Sequence, residues 1–181
     1  MLTDTVKGYG IISIALHWAV AAFIAFLYIS GEMFSDMGRT PEAASLRGLH
    51  QSVGVIAAVF FCARFIWRLW QGAQPKGNEN FWLNLLALLI QWALIIAMLG
   101  AMVTGFLAIW SGGRDISVFG LFTLPTPMGR SEGLHEFVED AHEFFSHVIL
   151  PLVALHVLGA LKHLIINRDG VMKRIFVPVR E

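Results

Sequence analysis

The chain has 181 residues, of which 56% are hydrophobic and 14% charged, with a mean hydropathy of +0.66. This excludes an ordinary soluble domain and points to an all-α protein that crosses a membrane several times. The formal net charge is zero, which by itself says little about partners; a lipid bilayer is expected and nucleic acid is not. Cys62 is the only cysteine and lies in an apolar run. A disulfide framework and a thiolate metal cluster are therefore excluded, and without a C-x-x-C-H motif so is a covalently attached c-type haem.

Four apolar runs, at about residues 11–30, 48–70, 81–110 and 142–166, reach the ~20 residues that cross a hydrocarbon core. All four should be helical, because lipid offers backbone groups no other partner. Together they form one four-helix transmembrane domain over residues 1–181. The first run is long, weakly basic at its front and interrupted by His17-Trp18, so it reads as a retained span. The polar connection 31–47 contains Thr40-Pro41-Glu42, a turn or a helix start. His50 opens the second run, and Gly54 one turn later leaves room for a bulky planar group.

Arg64 lies fourteen residues beyond His50, near the level of His17. At that depth it is expected to pair with a buried anion such as a haem propionate. Arg68, one turn on, reads equally as a second such partner or as a headgroup anchor. After a short loop at 71–80, the third run has no histidine and no charge. Its main polar groups are Asn84, Gln91 and Thr104, and Gly100 and Gly105 admit close helix contact. The connection 111–140 holds Phe119-Gly120-Leu121-Phe122-Thr123-Leu124-Pro125-Thr126-Pro127, then Glu132, Glu136, Glu139 and Asp140. It reads either as a lid over the bundle end or as an interfacial connector. The fourth run tolerates Pro151, and Asn167-Arg168-Asp169-Gly170 ends it ahead of a basic tail.

Basic residues set the orientation. Lys7, Arg64, Arg68, Lys76, Lys162, Arg168, Lys173, Arg174 and Arg180 fall on the side of the termini, against Arg39, Arg47, Arg114 and Arg130 on the other. Nine against four places both termini in the cytoplasm. Trp70, Trp82 and Trp110 fall near span ends, where interfacial aromatics belong.

His142 and His156 are fourteen residues apart in the fourth run. On a helix that is about 21 Å of rise with about 40° of drift, so both rings point to nearly the same side, one near each end of the span. His50 matches His142 at the outer level, and His17 matches His156 at the inner level. Two imidazole pairs at two depths in a four-helix bundle suit two b-type haems, each held by two histidines and stacked across the bilayer. Zinc or copper transport would call for clusters of three or four ligands, and a proton relay for carboxylates at membrane depth. The sequence supplies neither.

The chain resembles the bacterial cytochrome b561 family of four-span, di-haem membrane cytochromes. The likeness rests on Ile14-Ala15-Leu16-His17-Trp18, Leu49-His50-Gln51-Ser52-Val53-Gly54, Arg64-Phe65-Ile66-Trp67-Arg68, Phe119-Gly120-Leu121 and the His142/His156 pair, and it covers nearly the whole chain. It implies that His17 with His156, and His50 with His142, are the axial ligands of two haem b irons. It also implies a bacterial inner-membrane location and a quinone region beside His163. His147 is expected to pack or hydrogen-bond, and His135 to sit solvated in the external loop.

Iron held by two histidines has no open position, so electron transfer between the outer face and the quinone pool is the expected role. Stand-alone relatives suggest a superoxide:ubiquinone oxidoreductase, with ubiquinone as acceptor. The alternative is a membrane-anchor cytochrome b subunit passing electrons between quinone and a dehydrogenase, a hydrogenase or a periplasmic redox partner. The acidic run 132–143 favours docking by a basic partner over entry of a small anion.

Overall fold

The computed structural model describes residues 1–71 and 81–179. The loop expected after Gln71, with Lys76, and Arg180 in the tail lie outside the described residues. Four long helices form the body: α1 (Ile11–Asp36), α2 (Pro41–Gln71), α3 (Phe81–Ser111) and α4 (Glu132–Lys162). Each is long and apolar enough to cross a membrane. Their outward faces carry exposed Ile29, Val59, Leu89 and Leu158, as lipid contact requires.

The helices outrun the apolar runs, and they do so at the end away from the termini. There α1 continues to Asp36, α2 starts at Pro41 and α4 starts at Glu132. Thr40 caps α2, its hydroxyl accepting the Ala43 N–H at 3.1 Å, with Pro41 at the first helical position. The acids Glu132, Glu136, Glu139 and Asp140 therefore stand on the first turns of α4 and not in a loop. Negative charge is favoured at that end of a helix dipole.

Between α3 and α4 the chain makes a small antiparallel hairpin, β1 (Ile116–Val118) with β2 (Phe122–Leu124), an element that the all-helical expectation omits. Its turn places Phe119 (φ 51°) and Gly120 (φ 70°) in the left-handed region, closed by the Leu121 N–H on the Val118 carbonyl at 2.9 Å. Glycine adopts that geometry freely, whereas a phenylalanine there is strained. Ser52 of α2 compensates by accepting the Phe119 N–H at 3.0 Å. Ile116 and Val118 are fully buried beneath the hairpin. The connection read as a lid or an interfacial connector holds a hairpin packed against α2 near Ser52.

Close backbone contact runs within two helix pairs, α1 with α2 and α3 with α4, while approaches between the pairs are isolated points. Small residues permit the intimacy of the second pair. A Cβ on Gly100 would lie 2.7 Å from the Phe145 ring, and one on Gly105 would lie 2.9 Å from His142 Cε1. At Gly54 an added Cβ would meet only Leu27, at 4.0 Å, so the tight backbone approach occurs on α3. Beyond α4 the helix loosens into a π-turn (His163–Asn167). Arg168 then turns left-handed, and a 3₁₀ turn follows (Met172–Ile175).

Candidate functional site

The two helix pairs meet through histidines. His17 of α1 faces His156 of α4, with ring centroids 6.2 Å apart and planes inclined at 52°. His50 of α2 faces His142 of α4 at 6.5 Å and 85°. One helix thus contributes to both levels and each partner comes from the other pair. Among the described residues no third His, Cys, Asp or Glu joins either level to make a metal cluster.

The level away from the termini is braced from behind. His142 donates its Nδ1 proton to the Ala101 carbonyl at 2.8 Å, with the Thr104 hydroxyl at 3.3 Å. His50 Nδ1 lies 3.0 Å from the Ser30 hydroxyl, which donates to the Leu27 carbonyl at 3.2 Å. A ring held by Nδ1 keeps Nε2 as its free lone pair and fixes its orientation. Phe34 packs edge-on against His50 at 5.3 Å, and Arg47 sits over Phe34 at 5.0 Å from its centroid. At the termini side, Trp18 stands edge-on to His17 at 5.4 Å.

A family model described as prokaryotic cytochrome b561 matches residues 8–178. The chain belongs to that family. Family membership makes it a bacterial membrane cytochrome that binds haem b and transfers electrons. It is 26% identical to cytochrome b561 homolog 2 of Escherichia coli K12 over 180 residues, covering 95% of this chain and 93% of the relative. It is also 25% identical to a cytochrome b562 of Cereibacter sphaeroides over 179 residues, covering 94% of this chain and 96% of the relative.

The remaining residues singled out in this cytochrome b561-family chain take several positions. Among the described residues Arg64 donates only to the Ser13 carbonyl, at 3.4 Å, and it lies within electrostatic range of both His17 and His156. Arg68 turns inward, its guanidinium donating to Gln91 of α3 at 2.9 Å, which is not the posture of a headgroup anchor. His163 pairs with Asp169 at 2.7 Å across the π-turn. Burial works against the Asp169 carboxylate, but the Val171 amide and His163 together hold its carboxyl below the usual carboxylate range.

His147 lies half-exposed, its Nδ1 on the Glu143 carbonyl at 2.9 Å and its Nε2 3.6 Å from Glu32. His135 corrects the sequence reading: it is in α4, mostly covered, between Ser111 (3.4 Å) and Glu139 (3.3 Å). Sequence reasoning missed Ser30 and the Ala101 carbonyl as braces. A serine in a lipid-embedded helix was the available signal for the first; a backbone carbonyl leaves none.

Proposed function

We propose that the chain carries two haem b groups, one between His17 and His156 and one between His50 and His142. In this reading it passes electrons from the periplasmic face to the quinone pool of the bacterial inner membrane. The observation that carries the reading is the pair of facing imidazoles at each level. A metal sits about 2 Å from an imidazole nitrogen, so two rings sharing one iron have centroids roughly 6 to 6.5 Å apart. The separations of 6.2 and 6.5 Å match that requirement. The donor set fits as well, since neutral imidazole suits iron and two axial histidines leave no vacant coordination position. Bound haem supplies one-electron chemistry.

The protein's own residues orient and neutralise. Ala101 and Ser30 hold the outer imidazoles in the ligating tautomer. Arg64 supplies positive charge beside the inner pair, suited to a propionate, and Arg68 is a second partner once released from Gln91. We assign His163 to meet quinone and deliver protons at the cytoplasmic end, a role its contact with Asp169 supports. The excess of basic residues on the side of the termini supports a cytoplasmic location for both ends.

The reaction we favour is superoxide:ubiquinone oxidoreduction. Two superoxide anions each give up one electron and leave as dioxygen; the quinone takes both electrons and two protons and becomes quinol. Arg47, stacked through Phe34 onto His50, supports entry of a small anion at the outer level. A second reading draws on the protruding acidic turns of α4, which suit a basic redox partner docking from the periplasm.

Reduced-minus-oxidised spectra with a pyridine haemochrome assay should give two haems per chain. His50→Ala or His142→Ala should remove one, and His17→Ala or His156→Ala the other. Retention of both haems in these variants would refute the pairing. A superoxide pulse with quinone present should yield quinol faster than spontaneous dismutation consumes the pulse; no quinol would leave the subunit reading.

A further inference from the structure

The N-terminal lead and the C-terminal tail close on each other at the cytoplasmic end. The Met1 ammonium donates to the Val179 carbonyl at 3.0 Å, and the Val179 N–H donates to the Tyr9 carbonyl at 2.9 Å. Between them lies a shallow cavity of about 240 Å³, lined by Lys7, Lys173, Arg174, Val177, Val179 and two glycines. Three cations thus surround a floor of valine side chains and glycine backbone. Lys7 and Lys173 make no side-chain hydrogen bond or ion pair among the described residues. Two carboxylates of the terminal segments are engaged elsewhere: Asp4 accepts the Gly10 N–H and the Ser13 hydroxyl, both at 2.7 Å, and Asp169 serves His163 and the Val171 N–H.

The depth of this cavity follows from Trp18. Its indole N–H donates to the Ile175 carbonyl at 3.0 Å, and its ring packs on Phe176 at 5.1 Å. Trp18 lies about 10 Å along α1 from the helix start, so the tail folds back beside the membrane segment and does not run free into the cytoplasm. Val6, Ile166 and Phe176, in the same lead and tail segments, stand exposed. Basic side chains interleaved with exposed apolar ones at this level match the headgroup layer of a bilayer, with phosphate outside and acyl chain inside.

We infer that this cavity binds the headgroup of an anionic phospholipid, its phosphate held by Lys7, Lys173 and Arg174 and its glycerol and upper acyl chain laid against Val177 and Val179. The site joins the start of α1 to the tail beyond α4, so the lipid clamps the two ends of the chain at the membrane surface. Free phosphate shares the anionic group but makes no use of the apolar floor.

The test uses the full-length haem-loaded protein in detergent with added phosphatidylglycerol or phosphatidylcholine of matched chains, read by native mass spectrometry. One phosphatidylglycerol should remain bound per chain, about tenfold or more tighter than phosphatidylcholine. A Lys7→Gln/Lys173→Gln double variant should lose that preference, and a Lys7→Arg/Lys173→Arg variant should keep it. An unchanged haem spectrum certifies the fold of each. Raising the salt should weaken phosphatidylglycerol retention alone, a check that needs no variant. Equal retention of both lipids, a preference that survives the glutamines, or no salt effect would overturn the proposal. So would displacement of the lipid by inorganic phosphate, which would reassign the cavity to a free anion.

Discussion

Gly105→Ala tests the outer imidazole pair without touching a ligand. The added Cβ would lie 2.9 Å from His142 Cε1 and 3.2 Å from Nδ1. Comfortable carbon contacts are about 3.5–4.0 Å, so the ring would have to retreat by about 0.6 Å or more. That exceeds the ~0.5 Å within which a functional constellation must be held. It also pulls Nδ1 off the Ala101 carbonyl, a bond of 2.8 Å. Disturbing the group behind a metal-bound histidine typically costs 10–100-fold in metal affinity. On the proposed two-haem reading, the variant at limiting haem should therefore bind about one haem per chain under conditions expected to load two into the native protein. Haem titration followed by dithionite difference spectroscopy reads this directly. The inner signal should persist, because His156 lies about 21 Å further along α4. Two haems bound with undiminished affinity would refute the argument that Gly105 makes room for the ring.

Gly100→Ala is the matched control. Its Cβ would strike the Phe145 ring at 2.7 Å and overpack α3 against α4, costing about 1–3 kcal/mol in thermal unfolding with both haem signals unchanged. On the proposed superoxide reading, Arg47→Gln should lower the rate of superoxide-dependent quinone reduction several-fold and flatten its salt dependence in stopped-flow measurements, since it removes the cation next to Phe34 and His50. Asp169→Asn bears on pH. A carboxyl held below its ordinary value stabilises the fold above the unfolded value of about 3.9 and loses that contribution as pH falls through its folded value. Melting temperatures of native and variant protein should therefore differ near neutrality and converge on acidification; a gap that widens in acid would contradict the assignment.

The histidines were legible in the sequence because a titratable side chain in lipid is costly and needs a reason. Their levels were legible because helical rise converts residue intervals into depth. What lay behind them was not. The proton acceptor for His142 is a main-chain carbonyl, which any residue at position 101 would supply. The β-hairpin escaped notice because three-residue strands are too short to show alternation, and its turn puts phenylalanine where glycine or asparagine is the usual marker. His135 was misplaced because Gly133 and the surrounding acids look like a loop, whereas acids at that point are what the start of a helix favours. Arg68 was ambiguous because the same residue, one turn from Arg64, can swing to the headgroups or inward. Gln91, on a separate helix, decides between them.

The division into two tightly packed helix pairs has a consequence for biogenesis. The first pair precedes the third and fourth helices in the chain, so its backbone contacts need neither of them, and the later pair packs on itself in the same way. The last helix alone offers an imidazole to both levels, so on the proposed pairing neither haem would be held from both sides until that helix is made. Maturation would then become a supply problem: in cells short of porphyrin the chain would lack the groups that join its two helix pairs at the histidines.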